Sequence, residues 1–167
     1  LMIAEIKEAS QKQDSIGGVV ECCAVGVPRG LGDPMFDGVE NRLAAAIFGI
    51  PAVRGIEFGA GFAASNMRGS EHNDTYFYED DKVKTCTNNH GGILAGISTG
   101  MPILFRVAFK PTSSIGLEQN SVNLAKKTNT TLVIEGRHDP CVVPRAVVAV
   151  EAVAAIVLLD MLKKGAK

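Results

Sequence analysis

Residues 146–162 form an apolar segment that constrains the fold more than any other part of the chain. Hydrophobic residues run through all its helical faces, and only Glu151 and Asp160 interrupt them. Such a helix must be covered on more than one side. Its longest uninterrupted apolar run, residues 152–159, is far shorter than the ~20 residues that a membrane helix needs. We therefore expect a buried helix in a globular domain.

Alternating or continuous apolar runs predict the strands that would cover this helix. We expect strands at residues 19–27, 53–58 and 131–134, and a hairpin formed by residues 91–97 and 102–109. Antiparallel hairpins that pack on buried helices make an α+β layered fold. The fold class predicted from these patterns is therefore α+β.

Other helices are predicted where apolar residues recur at helical spacing. Residues 2–12 could form one, and a second is expected to start at Asp33-Pro34 and to stop at Gly49. Residues 117–127 are expected to form a short polar helix or a loop. The polar stretch from Arg68 to Asn89 is a long excursion of the kind found near a site or an interface.

Composition limits the class of protein. A chain of 167 residues suits one domain with a sizeable core, and its net charge of −1 argues against a nucleic-acid binder. The N-terminus shows no strong signal peptide. The four cysteines form no CxxC pair, which fits a reducing cytosol. Cys86 and His90 are four residues apart, but no second ligand pair follows, so half-buried thiols are preferred and no metal site is expected.

Residues 136–147 carry the densest chemistry: Gly-Arg-His-Asp-Pro-Cys-Val-Val-Pro-Arg-Ala-Val. A guanidinium, an imidazole and a carboxylate stand on consecutive residues just before a helix, where the positive end of the helix dipole favours anions. Arg137 could grip a phosphate or a carboxylate. The alternatives are a surface ion pair for Arg137 and a helix N-terminal carboxylate for Asp139. We assign His138 no catalytic role.

Two further segments suit an anionic or flat ligand. Residues 110–114, Lys-Pro-Thr-Ser-Ser, offer an ammonium, three hydroxyls and backbone donors, as a phosphate requires. Taken alone, the segment could equally be a solvated Ser/Thr turn. Residues 91–96, Gly-Gly-Ile-Leu-Ala-Gly, would let the backbone approach a flat ligand closely. The alternative is a strand weakened by glycine that carries a bulge.

In this order, and with Arg68-Gly69-Ser70-Glu71 upstream, these motifs resemble chorismate synthase. The resemblance runs from Asp14 to the last helix and implies the family's fold, in which helices lie between two antiparallel sheets. The family's serine-histidine-glycine and arginine-serine-serine motifs do not occur here. Residues 1–167 are therefore expected to be the C-terminal portion of a single chorismate synthase domain, as a fragment or a truncated form.

The resemblance assigns roles to particular residues. It implies that Asp139 and Arg137 are the catalytic residues: Asp139 assists proton movement at the flavin, and Arg137 contacts both flavin and substrate. Ala95 stands where the family usually has glycine, so a backbone contact is expected there. The flavin-binding residues implied by the resemblance are Pro51, Ala52, Ala95, Lys110, Pro111, Thr112, Ser113, Ser114 and Arg137.

The implied reaction is the 1,4-elimination of phosphate from 5-enolpyruvylshikimate 3-phosphate, which gives chorismate and requires reduced FMN. The resemblance also implies a cytoplasmic carbon–oxygen lyase of the shikimate pathway, with no membrane or nucleic-acid partner. It implies a homotetramer, and it leaves open whether the enzyme reduces its own flavin with NADPH. The isolated chain is expected to be inactive. Alternatives are a stand-alone FMN-binding module and a structural fragment without catalysis.

Overall fold

The computed structural model describes residues 1–165, and strand Ile103–Phe109 is the centre of its main sheet. Side chains alternate along this strand, with Ile103, Phe105, Val107 and Phe109 buried on one face. The period of two is that of a strand with one face in the core. The strand pairs antiparallel with Gly18–Ala24 on one side and with Val53–Phe58 on the other.

The remaining elements surround this sheet and are numbered here in chain order. Two short 3₁₀ turns, Met35–Asp37 and Gly61–Asn66, lie between them. The helices and strands are α1 Met2–Gln11, β1 Gly18–Ala24, α2 Val39–Ile47, β2 Val53–Phe58, α3 Gly69–His72, β3 Tyr76–Glu79, β4 Lys82–Thr85, β5 Ile93–Leu94, β6 Ile97–Ser98, β7 Ile103–Phe109, β8 Gln119–Asn123, β9 Thr128–Leu132 and α4 Val143–Gly165.

The core lies between one face of the β1-β7-β2 sheet and the helices α2 and α4. Val39, Leu43 and Ile47 lie one turn apart on α2 and are fully buried, as is Val150 on α4. The spacing of three and four residues places such side chains on one helix face. The expected α+β class, with antiparallel sheets packed on helices, is confirmed.

The chain passes very close to itself where the loop before β5 crosses the end of β2. Gly91 has φ +65°, and a Cβ atom built there would lie 2.4 Å from the Gly59 nitrogen and 2.8 Å from the Leu104 carbonyl oxygen. The same backbones are joined by hydrogen bonds, 3.1 Å from Leu104 N–H to Gly91 and 3.0 Å from Gly59 N–H to Leu104. Glycine is required at position 91 because no side chain fits there.

Replacing Gly91 with alanine is expected to lower the free energy of unfolding by about 2 kcal/mol or more, since strain at positive φ alone costs about 1–3 kcal/mol. Urea unfolding followed by circular dichroism measures the loss. Gly69→Ala is the matched control, because no atom lies within 4 Å of its built Cβ and its φ is not positive. Equal stability of the two variants would contradict the close approach.

Several sequence predictions are confirmed: α1, the strands β1 and β2, and the long helix α4. The strand predicted at residues 131–134 overlaps β9 only at residues 131 and 132. The predicted helix start at Asp33 is wrong. The helix begins instead at Val39 with Gly38 as its N-cap, and residues 35–37 form a separate 3₁₀ turn. Gly38 is extended there (φ −60°, ψ 158°), which separates the turn from the helix.

The predicted hairpin of residues 91–97 and 102–109 is also wrong. β5 pairs with β6 in a hairpin of its own, and β7 pairs with β1 and β2. Residues far apart in sequence therefore provide the neighbours of the central strand. Residues 119–123, expected as a helix or loop, form β8, which pairs with β9.

Helix α4 is buried on one side only within residues 1–165. Ala146, Val150 and Ala154 face the core, whereas Val148 is 68% and Ile156 66% exposed. The expected cover on more than one side is therefore not present in the described part of the chain. None of the described helices is long and apolar enough to cross a membrane.

Candidate functional site

A cleft of about 490 Å³ lies where β7 ends beside the start of α4, and we call it the Lys110 cleft. It brings together two groups of predicted flavin-binding residues that are over fifty positions apart in sequence. Its lining consists of Ile50, Pro51, Ala52, Phe109, Lys110, Pro111, Thr112, Ser113, Ser114, Val142, Arg145 and Ala146.

Backbone pairing at the sheet edge explains this meeting. Val53 pairs with Phe109 in the β2–β7 ladder, and the Lys110 N–H donates a 2.9 Å hydrogen bond to the carbonyl of Ala52. Ala52 adopts φ +71°, so the chain turns sharply as it enters β2. On the other side, the Ser15 hydroxyl donates to the Thr112 carbonyl at 2.6 Å. Residues 110–114 are thus held between the ends of β1 and β2.

The lining of the Lys110 cleft suits a ligand that is anionic at one end and apolar elsewhere. Within residues 1–165, neither the Lys110 ammonium nor the Ser113 hydroxyl has a hydrogen-bond or ion-pair partner, and both residues are exposed. Ile50, Pro51 and Val142 supply apolar wall. One cation with oriented hydroxyls suits a phosphate, and a volume of several hundred Å³ is typical of cofactor sites. The residues therefore fit a flavin mononucleotide.

A second cleft of about 340 Å³, the Arg137 cleft, is lined by Arg137, His138, Asp139, Pro140 and Arg145. Arg137 is exposed, and no carboxylate of residues 1–165 forms an ion pair with it. The alternative of a surface ion pair is therefore not realised for Arg137 within the described residues. A guanidinium without a protein partner can bind an incoming carboxylate or phosphate bidentately.

Two hydrogen bonds join the clefts. The Thr112 hydroxyl donates to the backbone carbonyl of Asp139 at 2.8 Å, and Ser114 Oγ lies 3.2 Å from His138 Nδ1. His138 Nε2 lies 2.9 Å from the Ile134 carbonyl, which can only accept, so the network assigns the proton to Nε2 and lets Nδ1 accept from Ser114. His138 thus connects the loop of residues 134–139 to Ser114.

Asp139 is held at the start of α4 by two contacts. Its Oδ1 accepts a 3.2 Å hydrogen bond from the Cys141 N–H, and its Oδ2 forms an ion pair with Arg145. The Asp139 carboxylate therefore lies just ahead of α4, which begins at Val143, and accepts from a backbone N–H that precedes the helix. Sequence reasoning missed Arg145, although a cation in the first turn of a helix opposes the helix dipole and could have been noticed for that reason.

Ala95 lies apart from both clefts. It is exposed, has φ +52°, and forms the turn between β5 and β6. The next residue, Gly96, accepts a hydrogen bond from Val39 N–H, at the opposite end of α2 from Ile50 and Pro51. The nine residues of α2 lie between the Ala95 turn and the Pro51 wall of the Lys110 cleft. At a rise of 1.5 Å per residue, the helix separates them by about 13 Å. A flavin contact at Ala95 stays a prediction.

The polar excursion is organised around Asp74, which sequence reasoning did not single out. Burial alone would raise the pKa of this carboxyl. Hydrogen bonds from the Thr87 hydroxyl and from the backbone of His90 and Asn89 outweigh burial, and the pKa lies below its usual value. These bonds are 2.6, 3.0 and 2.8 Å long. Asp74 therefore fixes the loop that leads to Gly91.

His72 and His90 stack edge to face with ring centroids 4.6 Å apart. They are the loop histidines of the excursion, and neither lines the two clefts. No group of three or more potential metal ligands occurs within residues 1–165. Cys86 is exposed and lies outside both clefts.

The fold and the two clefts describe an α+β protein in which lysine and arginine side chains line clefts beside the N-terminus of α4. Residues 1–162 match the family described as chorismate synthase. The chain belongs to the chorismate synthase family.

Relatives and a solved structure agree with this assignment. Chorismate synthase of Dehalococcoides mccartyi strain BAV1 is 58% identical over 160 residues, which cover 96% of this chain and 44% of the relative. That of Pyrococcus abyssi is 53% identical over 161 residues. A crystal structure of chorismate synthase superposes with a TM-score of 0.79 at 33% identity, covering 98% of this chain and 42% of that one. The chain thus spans less than half the length of these proteins.

Proposed function

We propose that the protein of which this chain is part converts 5-enolpyruvylshikimate 3-phosphate to chorismate and phosphate with reduced FMN. The supporting observation is the pair of joined clefts. A phosphate-type cleft lies next to an unpaired guanidinium and a carboxylate, and the Thr112–Asp139 hydrogen bond connects them at 2.8 Å. Membership of the chorismate synthase family supports this reaction.

In this proposal the Lys110 cleft holds the cofactor. Lys110 and Ser113 bind the phosphate end, because both present donors that have no other partner among residues 1–165. The apolar wall of Ile50 and Val142 excludes water from one side. Reduced FMN, when bound, supplies electron density that assists cleavage of the substrate's C–O bond.

The Arg137 cleft takes the substrate end of the site. Arg137 binds an anionic group of the substrate and holds it against the cofactor, which is positioning rather than chemistry. Asp139 acts as a general acid–base group: its carboxylate, which is paired with Arg145, takes up a proton and passes it on within the site. Arg137 and Asp139 belong to one loop, and hydrogen bonds from Thr112 and Ser114 of the Lys110 cleft hold that loop in place.

The triply anionic substrate needs more cations than the Arg137 cleft provides. The family's serine-histidine-glycine motif also does not occur in these 167 residues. We therefore propose that the rest of a full-length protein completes the site, that the enzyme works in the cytoplasm, and that it assembles as a homo-oligomer. Exposed apolar side chains on α4, such as Val148 and Ile156, favour association with another surface.

The test is an anaerobic assay with chemically reduced FMN and 5-enolpyruvylshikimate 3-phosphate, following chorismate absorbance. The 167-residue chain alone is expected to form no chorismate. A chimaera, in which it replaces the matching segment of the Dehalococcoides mccartyi enzyme, is expected to be active. The native Dehalococcoides enzyme is the positive control.

Three outcomes would contradict parts of this proposal. Turnover by the 167-residue chain alone would show that the described clefts hold the whole catalytic apparatus. A folded chimaera that binds FMN without turnover would favour the alternative of a flavin-binding module. A folded chimaera that does neither would favour a structural fragment.

A further inference from the structure

Among residues 1–165, Arg145 alone lines both clefts, and the resemblance to the family assigns it no role. It lies in the first turn of α4, contacts the Lys110 cleft on one side and the Arg137 cleft on the other. A cation there faces the positive end of the dipole of a 23-residue helix, which is unfavourable by itself. The Asp139 carboxylate, which forms an ion pair with Arg145, offsets part of that cost, and a second anion would offset more of it.

The ion pair with Asp139 uses only part of the Arg145 guanidinium. Nη2 donates to Asp139 Oδ2, and no other side-chain hydrogen bond of Arg145 occurs within residues 1–165. A guanidinium carries five N–H donors in a planar fork, so most of them are available. The side chain is 75% exposed and can reorient into the Lys110 cleft without disturbing the core.

The Lys110 cleft has few other cations to offer a phosphate. Besides Arg145, Lys110 is its only cationic lining residue within residues 1–165. A phosphate monoester carries about −1.5 to −2 charges at neutral pH, so a single lysine leaves it incompletely neutralised. A fork of N–H donors also matches phosphate oxygens better than an ammonium does.

We propose that Arg145 is the second cation of the Lys110 cleft, binding a phosphate monoester while it anchors Asp139. The inference rests on the proposed function and deepens it, because the ligand is taken to be the phosphate end of FMN. Arg145 then links the two clefts: the group that binds the cofactor also holds the proton-handling carboxylate in place.

The experiment compares FMN with riboflavin, which has the same ring but no phosphate. In the chimaera, Arg145→Ala is expected to weaken FMN binding about tenfold or more, the effect of losing a charge-assisted hydrogen bond. Riboflavin binding is expected to stay unchanged. Flavin fluorescence titrations at 0.15 M salt measure both dissociation constants. Arg145→Lys is expected to restore FMN affinity in part, since it keeps the charge and loses the fork.

Lys126→Ala is the matched control, because it removes one positive charge from the exposed β8–β9 hairpin and lines neither cleft. FMN affinity should not change in it. An equal loss of FMN and riboflavin affinity in Arg145→Ala would indicate a structural role and overturn the inference. Unchanged FMN affinity would overturn it as well. A folded chimaera with unmodified Arg145 that binds no FMN would overturn the proposed function itself.

Discussion

Asp139→Asn is expected to lower the turnover number of the chimaera about 10²- to 10⁴-fold, the usual contribution of a general acid–base group. Asparagine keeps the size of the side chain, and its carbonyl oxygen can still accept from the Cys141 N–H, a bond of 3.2 Å in the structure. The substitution therefore removes the ability to carry a proton with little change in shape. Anaerobic steady-state kinetics with reduced FMN measure the loss.

FMN affinity separates the chemical role of Asp139 from its structural one. Asp139 anchors Arg145, so a purely structural effect would raise the FMN dissociation constant along with any loss of turnover. We expect turnover to fall far more than FMN affinity. Asp81→Asn is the control, since it alters an exposed carboxylate at positive φ in the β3–β4 turn, a conformation that asparagine tolerates. Turnover within twofold of the unmodified chimaera would contradict a catalytic Asp139.

Local patterns predicted those parts of the fold whose periodicity reflects burial directly. The alternation along β7 and the helical spacing of Val39, Leu43 and Ile47 are both visible in the sequence, because one face of each element lies in the core. The wrong predictions concern which strands pair with each other. A hairpin between neighbouring segments is the simplest reading of residues 91–109, yet β7 pairs with β1, more than eighty residues earlier.

Such long-range pairing carries no local signal. Val20 lies opposite Val107 because both bury their side chains against α2 and α4. The residues that flank each valine in the sequence do not indicate which strand it pairs with. The predicted start of α2 at Asp33 was wrong for a different reason. Asp33-Pro34 has the chemistry of a helix N-terminus, but Gly38 is extended and interrupts the turn before the helix forms.

The candidate site was predictable only through the resemblance. Residue types alone would leave residues 110–114 as a Ser/Thr turn. In the structure Thr112 and Ser114 instead form hydrogen bonds with Asp139 and His138, which are more than twenty positions away in the sequence. Their place beside Pro51 and Ala52 depends on the β2–β7 register, which is again a long-range property. Arg145 was not predicted as a site residue, although the sequence places it in the first turn of a helix. A cation there is unfavourable for the helix dipole, which is a reason to expect an anionic partner nearby.

Phe105→Ala is expected to lower the free energy of unfolding by about 3–5 kcal/mol, the range for removing a buried aromatic side chain. Phe105 is fully buried at the middle of β7, opposite Cys22 on one side and Phe58 on the other. Its ring centroid lies 5.8 Å from that of Phe58. Both flanking strands contact it, so the surrounding side chains cannot collapse into the space without moving the sheet.

Leu104→Ala is the control for Phe105→Ala, since Leu104 is the adjacent residue of β7, points to the opposite face and is only half-buried. Leu104→Ala should lower the free energy of unfolding clearly less than Phe105→Ala does. Domains are stable by about 5–15 kcal/mol in total, so Phe105→Ala should shift the urea midpoint of the 167-residue chain strongly or abolish folding. Equal losses for the two variants would mean that both faces of β7 are covered in solution. The core would then not lie only between the sheet and the helices α2 and α4.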